Sequence, residues 1–371
     1  MRRAKIVCTL GPATAGPGVL EELVSAGMDV ARINLSHGNY SDHQAAIDAV
    51  RHATDVTGRG VAVLADLQGP KIRLRRFGNG PVMLEVGANF TITTDACVGD
   101  VNRCSTTYAG MAQDVRPEDL LLVDDGKILL RVDHVDGNDI VTEVLEGGIV
   151  SDNKGINMPG VGVSVPALAE KDIDDLRWAL RAGTDLVALS FVRSAADIAD
   201  VHAVMDEVGI RVPVLAKIEK PQAVDNLADI IAAFDGVMVA RGDLGVELPI
   251  EQVPLVQKQA ISMCRNVGKP VIVATQMLDS MVTARRPTRA EASDVANAVL
   301  DGTDALMLSA ETSVGDHPVT VVETMARIIR HVEEQSLTAM PPVAETKVGS
   351  TARALTRAAC QVGESVGATH L

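Results

Sequence analysis

Aromatic side chains are nearly missing from this sequence: one Trp, two Tyr and four Phe make up 2% of 371 residues. Any core must therefore be packed from Val, Ala, Leu and Ile, and a hydrophobic fraction of 47% is enough for a large one. Positive charge is also short. With 34 Lys and Arg against 49 Asp and Glu, the net charge is −15. That excludes general binding to nucleic acid or to an anionic membrane, both of which need basic surface. An anionic small substrate stays open, because a local cluster of Arg and Lys reverses the field inside one pocket. The five cysteines (Cys8, Cys97, Cys104, Cys264 and Cys360) are odd in number and form no CxxC. Buried reduced thiols are expected rather than a disulfide framework or a zinc site. Long apolar runs are missing too, and none approaches the ~18 residues of a membrane span. The run behind Met1-Arg2-Arg3 ends at Leu10, before Gly11-Pro12, too short for a signal peptide. A cytoplasmic enzyme is the expectation.

What is present is an alternation. Eight short apolar, β-branched runs are Ile6–Leu10, Val30–Leu35, Val61–Asp66, Leu186–Phe191, Val212–Ile218, Gly236–Ala240, Val271–Thr275 and Ala305–Ser309. Helical spacing separates them, as in Ser41–Thr57, Ala195–Val208, Pro221–Phe234 and Glu251–Val267, with Gly183, Gly209 and Gly268 as stops. Alternating strands and helices imply a parallel sheet, and eight strands close a (β/α)8 barrel. An open doubly wound sheet would carry a Gly-rich fingerprint after its first strand, and none is there.

The alternation breaks once. Val82–Val86, Asn89–Thr94, Leu120–Val123, Ile128–Val135 and Ile140–Leu145 read as strands joined by turns. The expected organisation is a catalytic barrel over residues 1–70 and 167–340, interrupted after its third strand by a small β-barrel-like lid at 71–166. The helix Lys171–Arg181 returns the chain to the barrel, and Val319–Gln335 completes it. Met340-Pro341-Pro342 reads as a linker. Residues 341–371 then read as the start of a further α/β domain: an amphipathic helix at Thr351–Val366, a stop at Gly367 and a strand beginning at Ala368–Leu371. One helix and a strand start cannot form a core, so this domain is expected to be truncated.

Barrel enzymes keep their chemistry at the carboxyl ends of the strands, and residues of one parity along a strand share a face. Arg32, Asn34 and Ser36 share parity, as do Lys217 and Glu219, Arg241 and Asp243, and Ser309 and Glu311; Asp66 ends the third strand, and Thr275 stands alone. So many charges on inward faces are costly unless they face partners or ligands. Glu219 and Asp243 are hard oxygen donors suited to Mg²⁺ with water and substrate oxygens completing the octahedron. Lys217 offers a point charge for a moving phosphoryl group, and Arg32 a fork for phosphate. Arg241-Gly242-Asp243-Leu244-Gly245 reads as a turn into a short helix whose free N–H groups would bind an anion. Residue types alone leave a metal-dependent aldolase open as well.

At these residues the sequence resembles the pyruvate kinase family. The carrying stretches are Thr9–Thr14 (TLGPAT), Arg32–Gly38 (RINLSHG), Lys217–Lys220 (KIEK), Met238–Glu247 (MVARGDLGVE), Ala274–Met281 (ATQMLDSM), Pro287–Gly302 (PTRAEASDVANAVLDG) and Leu308–Thr312 (LSAET). The likeness runs from about Lys5 to the last residue and includes the insertion. It implies phosphoryl transfer from phosphoenolpyruvate to ADP, with Mg²⁺ or Mn²⁺ held by Glu219 and Asp243. Arg32 would hold the substrate phosphate, Gly242, Asp243 and Thr275 would bind substrate, and Lys217 would stabilise the transition state. Thr275 and Ser309 would serve a hydroxyl relay that protonates the enolate. Asn34, His37, Arg73, Asp125 and Lys154 match nucleotide-contacting positions.

One departure concerns potassium. Many family members read Asp-Thr-Lys-Gly-Pro-Glu at the third strand and need K⁺. Here Asp66–Lys71 reads DLQGPK. Asn34, Ser36, Asp66 and the Leu67 carbonyl would form the monovalent site, but Lys71 replaces the acid and supplies a cation of its own. The resemblance is thus to the subgroup that does not require K⁺. The short third domain implies lost effector control, with a dimer or weakened tetramer in place of the family's homo-oligomer. It also leaves an alternative reading, a catalytically silent fragment or regulatory remnant.

Overall fold

The computed structural model describes residues 2–124, 126–336 and 351–367. In chain order, β1 (Lys5–Thr9), β2 (Val30–Asn34) and β3 (Ala62–Asp66) begin a sheet. β4 (Val82–Leu84), β5 (Asn89–Thr93), β6 (Arg103–Ser105), β7 (Leu120–Val123), β8 (Ile128–Asp136), β9 (Asp139–Glu146), β10 (Gly148–Val150) and β11 (Ile156–Asn157) interrupt it. β12 (Leu186–Leu189), β13 (Val214–Ile218), β14 (Gly236–Ala240), β15 (Val271–Ala274) and β16 (Ala305–Leu308) complete it. The first and last groups close into one parallel barrel in the order β1-β16-β15-β14-β13-β12-β3-β2. Each of the eight apolar runs coincides with one barrel strand to within two residues.

Two shells of apolar side chains explain why the runs are apolar at almost every position. Inward positions, Val7, Leu64, Ala188, Leu215, Met238, Ile272 and Met307, fill the barrel itself. Their neighbours in sequence, such as Ile6, Val63, Val187, Val214, Val237 and Val271, pack outward under the helices. Ala and Met do inside this barrel what aromatics cannot, since the chain has so few.

The lower rim carries a pattern repeated on four strand pairs. Asp29, just before β2, accepts the Ile6 N–H of β1 at 2.9 Å and donates its own N–H to the Ile6 carbonyl. Asp185 does the same for Val63 of β3, Asp235 for Val214 of β13 and Asp304 for Val271 of β15, with carboxylate distances of 2.6, 2.8 and 2.9 Å. Each of these N–H groups at the start of a strand gains its partner from a carboxylate.

The segment between β3 and β12 has its own core, built on Phe90, Ile92, Leu121, Leu130 and Val132. Its main sheet runs β11-β7-β8-β9-β5-β6, with a two-stranded ribbon β10-β4 beside it. Arg73 bridges Gly155 next to β11, and Leu74 bridges Thr106 next to β6. The two edges are thereby drawn round one stretch of chain, which curls the sheet.

Three strands, β6, β10 and β11, escaped the sequence reading because two or three residues cannot show a period. The expected helix Pro221–Phe234 is broken into Pro221–Asp225 and Leu227–Ala233. Asn226 leaves the helical region between them, and its side-chain amide donates to the Arg193 carbonyl at 2.9 Å. The start of Ala195–Val208 is a 3₁₀ turn, and the helix proper is Ile198–Val208. The helix Thr351–Ser365 is present; the linker at Met340-Pro341-Pro342 and the strand start at Ala368–Leu371 lie outside the described residues. Of the thiols, Cys8, Cys104 and Cys264 are buried as expected, but Cys360 is exposed and Cys97 only half-buried. Among the described residues no helix is long and apolar enough to cross a membrane.

Candidate active site

Strand parity places the upper-rim charges. With Leu64 and Leu215 inward, Asp66 and Lys217 follow on the same face, and Arg32 on the neighbouring β2 reaches Asp66 from its other side. Arg32 Nε meets Asp66 Oδ2 at 2.6 Å, and Lys217 Nζ lies 3.3 Å from Asp66 Oδ1 and 2.8 Å from Glu219 Oε1. All four side chains are at most 12% exposed, so water does little to screen them. Burial alone would lower the Lys217 pKa, but Asp66 and Glu219 outweigh it and hold the ammonium above its usual range. Burial would likewise raise Asp66, yet Lys217 and Arg32 keep its carboxyl below the usual carboxylate range. Glu219 goes the other way: burial and the charge of Asp243 push it up against the pull of Lys217.

Those two carboxylates form a like-charged pair at the mouth of the barrel. Among the described residues no three His, Cys, Asp or Glu side chains form a ready metal cage. Two acids with open positions fit Mg²⁺, which keeps waters and takes substrate oxygens, better than a metal needing a full protein shell.

Parity fails at Arg241. Met238 points inward and Val239 outward, which sends Arg241 outward with Val239. Its guanidinium reaches Asp294 at 2.7 Å and donates to the Ala274 and Thr275 carbonyls at 3.3 and 2.7 Å. It therefore braces the turn after β15, where Thr275 and Gln276 hold positive φ of 69° and 52°. Such a turn costs energy unless its surroundings fix it. Asp243 lies in the helix Arg241–Glu247, so strand parity does not govern it. Glu311 is also structural: its carboxylate accepts the Leu278 and Ser309 N–H groups. The expected free N–H at Gly242 is already taken, by Thr275 Oγ1 at 2.7 Å, and the same hydroxyl donates to the Ala274 carbonyl.

Most of the oxygens read as a monovalent-cation site are engaged within the protein, although among the described residues Asp66 Oδ1 has only the Lys217 ammonium near it and no hydrogen bond. Asn34 Oδ1 accepts the Ser36 N–H at 3.2 Å, the Leu67 carbonyl accepts the Ser190 hydroxyl at 2.7 Å, and Asp66 is held by Arg32 and Lys217. Lys71 is exposed and does not reach Asp66; it lies on the cleft between barrel and insertion.

That cleft has a volume of about 480 Å³, and His37, Arg73, Lys154 and Asp243 all line it. Asn34 and His37 line a second, more apolar cavity of about 750 Å³ beside it, walled by Pro12, Ala46 and Ala49. His37 belongs to both. Burial, then the charges of Lys71, Arg73 and Arg32, lower its pKa and favour the neutral imidazole. Asp125 lies outside the described residues. Its neighbour Asp124, held at φ 55°, faces the cleft and pairs with Lys154 at 2.8 Å.

Several contributors went unread in the sequence. Ser190 accepts the Lys217 ammonium at 2.7 Å, and the Phe191 N–H holds Glu219 Oε2 at 2.9 Å. Ser190 shares parity with inward Ala188, so the signal was present. Lys220, Glu247 and Asn157 form a further cluster at the cleft floor. Their meaning depends on contacts between distant segments, which no spacing reveals.

A closed parallel barrel with paired acids and buried cations at its carboxyl rim is that of a barrel enzyme handling an anionic substrate. Comparison with known proteins narrows this. The pyruvate kinase barrel domain matches residues 1–322. Pyruvate kinases of Mycobacterium tuberculosis and Mycobacterium intracellulare are each 62% identical over 371 residues, covering 100% of this chain and 78% of theirs. That of Geobacillus stearothermophilus is 47% identical over 336 residues, covering 90% of this chain and 57% of its own. The chain belongs to the pyruvate kinase family and is a phosphotransferase.

Proposed function

We propose that the chain moves the phosphoryl group of phosphoenolpyruvate to ADP, giving pyruvate and ATP. The observation that carries this is the buried array Arg32–Asp66–Lys217–Glu219, whose Glu219 is held by Phe191 and feels the charge of Asp243, both of which line a cleft with His37, Arg73 and Lys154. Phosphoryl transfer needs little covalent chemistry from the protein, and cations fixed beforehand are what it does need.

Glu219 and Asp243 would hold Mg²⁺ or Mn²⁺, which supplies charge neutralisation at the phosphoryl and carboxylate oxygens. Arg32 holds the substrate phosphate, and Lys217 meets the negative charge that grows on the transferring group. Asp66 keeps both cations charged and aimed. Gly242 and Thr275 seat the substrate carboxylate once their mutual hydrogen bond opens. The P–O bond to the enol oxygen breaks as a bond to a terminal ADP phosphate oxygen forms, and the methylene carbon of the enolate takes a proton. Thr275 and Ser309 serve that proton relay.

The nucleotide spans both cavities. Its base and ribose suit the more apolar one beside Asn34, and its phosphates the cleft with Arg73 and Lys154, with His37 at the junction. The insertion acts as a lid over this cleft and keeps water out. No K⁺ is needed: the Leu67 carbonyl and Asn34 Oδ1 are engaged within the protein, Lys217 and Arg32 already face Asp66, and Lys71 adds a cation at the cleft. A coupled assay with phosphoenolpyruvate, ADP and Mg²⁺ in K⁺-free buffer tests the reading. Turnover supports it, and its absence in a folded preparation favours a silent remnant.

A further inference from the structure

The two acids assigned to the divalent cation sit on separate segments, so something must set the spacing between them. Glu219 follows the last residue of β13, and Asp243 lies in the first turn of the helix Arg241–Glu247. The next residue after Glu219 is Lys220. Four residues after Asp243, one turn along the same helix face, is Glu247. Lys220 Nζ and Glu247 Oε1 are 2.5 Å apart, with the side chains 14% and 1% exposed. Lys220 also lies 5.2 Å from the ring centroid of Phe191, the residue whose N–H holds Glu219. A third partner comes from the insertion: Asn157 of β11 donates its side-chain amide to the same Glu247 oxygen at 2.8 Å.

We propose that Lys220 and Glu247 are positioning residues for the divalent cation, tying the carrier of Glu219 to the carrier of Asp243. Asn157 makes that tie answer to the insertion. The inference rests on Glu219 and Asp243 being the metal ligands. A buried ion pair is costly to break, because the remaining charge is left without a partner. It therefore holds its two backbones at a fixed separation. Mg²⁺ demands near-ideal octahedral geometry, so the separation of the two acids bears directly on affinity. The pair is neutral as a unit and adds no net charge to the site, which separates its role from that of Lys217.

The test is Mn²⁺ binding to the full chain without substrates, read from the free-ion signal in electron paramagnetic resonance, with a melting curve for each variant. Lys220→Met is decisive because its sign is diagnostic. Removing a positive charge would tighten cation binding if only Coulomb attraction mattered. Loss of a positioning partner weakens binding instead, by about tenfold or more. Glu247→Gln should weaken it similarly, Lys220→Arg should regain most of the affinity, and Asn157→Ala should show a smaller loss in the same direction. Unchanged or tighter Mn²⁺ binding in Lys220→Met with a native melting curve overturns the proposal. If Lys220→Met does not fold, Asn157→Ala decides, since it removes no charge: unchanged affinity there counts against the tie. Asp243→Asn is the separate control. If that variant still binds Mn²⁺ normally, the metal assignment itself fails; if it does not, while the pair variants bind normally, only the tie is lost.

Discussion

Asp66 stands between Lys217 and Arg32, giving one carboxylate oxygen to each, at 3.3 and 2.6 Å. It keeps two like charges close together in a buried site without neutralising either. Removing it should leave Arg32 without its carboxylate and Lys217 with Glu219 alone. Asp66→Asn is expected to lose about 3–5 kcal/mol of stability, measured by urea unfolding. An unchanged midpoint would show that the cations find other partners.

The same carboxylate fixes a pH dependence. Its folded pKa lies below the unfolded value because Lys217 and Arg32 outweigh burial. Its stabilisation is therefore fully present above the ordinary carboxylate range and is lost as pH falls through the lowered folded value. Acid unfolding should be shallower in Asp66→Asn than in the parent, when both are followed by circular dichroism. Parallel acid curves would remove Asp66 from this role.

Lys217 is expected to matter for rate rather than for holding the metal. Lys217→Met should cut turnover by about 10²–10³-fold, the scale of losing one preorganised donor to transition-state charge. Mn²⁺ binding should remain measurable. Near-normal turnover would end the assignment.

Potassium gives a fourth test. Activity should be undiminished when KCl is exchanged for tetramethylammonium chloride at constant ionic strength. Lys71→Glu, which removes the extra cation at the cleft, should create a K⁺ requirement. Strong stimulation of the parent by KCl would refute the idea.

Trp178, the only tryptophan, offers a view of the nucleotide. It stacks on Tyr40 at 5.0 Å, and the ring of His43, which lines the more apolar cavity, lies 5.9 Å away. ADP alone should change its emission if the base enters that cavity. A flat titration with ADP, under conditions where turnover proves binding, would place the base elsewhere.

The barrel was legible because its strands are buried on both faces and its helices close on glycine. Arg32, Lys217 and Glu219 were legible for a related reason: inward parity in an apolar strand leaves a charge conspicuous. Arg241 was misread because parity had to be anchored to Met238 and Val239, whose directions only the closed sheet settles. The free N–H expected at Gly242 was misread because Thr275, far along the chain, reaches it. Lys220 and Glu247 end two of the quoted motifs, but nothing local shows that they meet each other and Asn157, since three segments must fold first.

The four aspartates of the lower rim lead to a different kind of conclusion. Each ties the start of one strand to the start of the next, so the barrel is gathered as four paired staves at the end away from the cleft. Strand registration is anchored where no substrate comes. Loops on the working rim, the long insertion included, are thus free to be exchanged without slackening the cask, and a graft of new chemistry onto that rim would inherit its alignment from below.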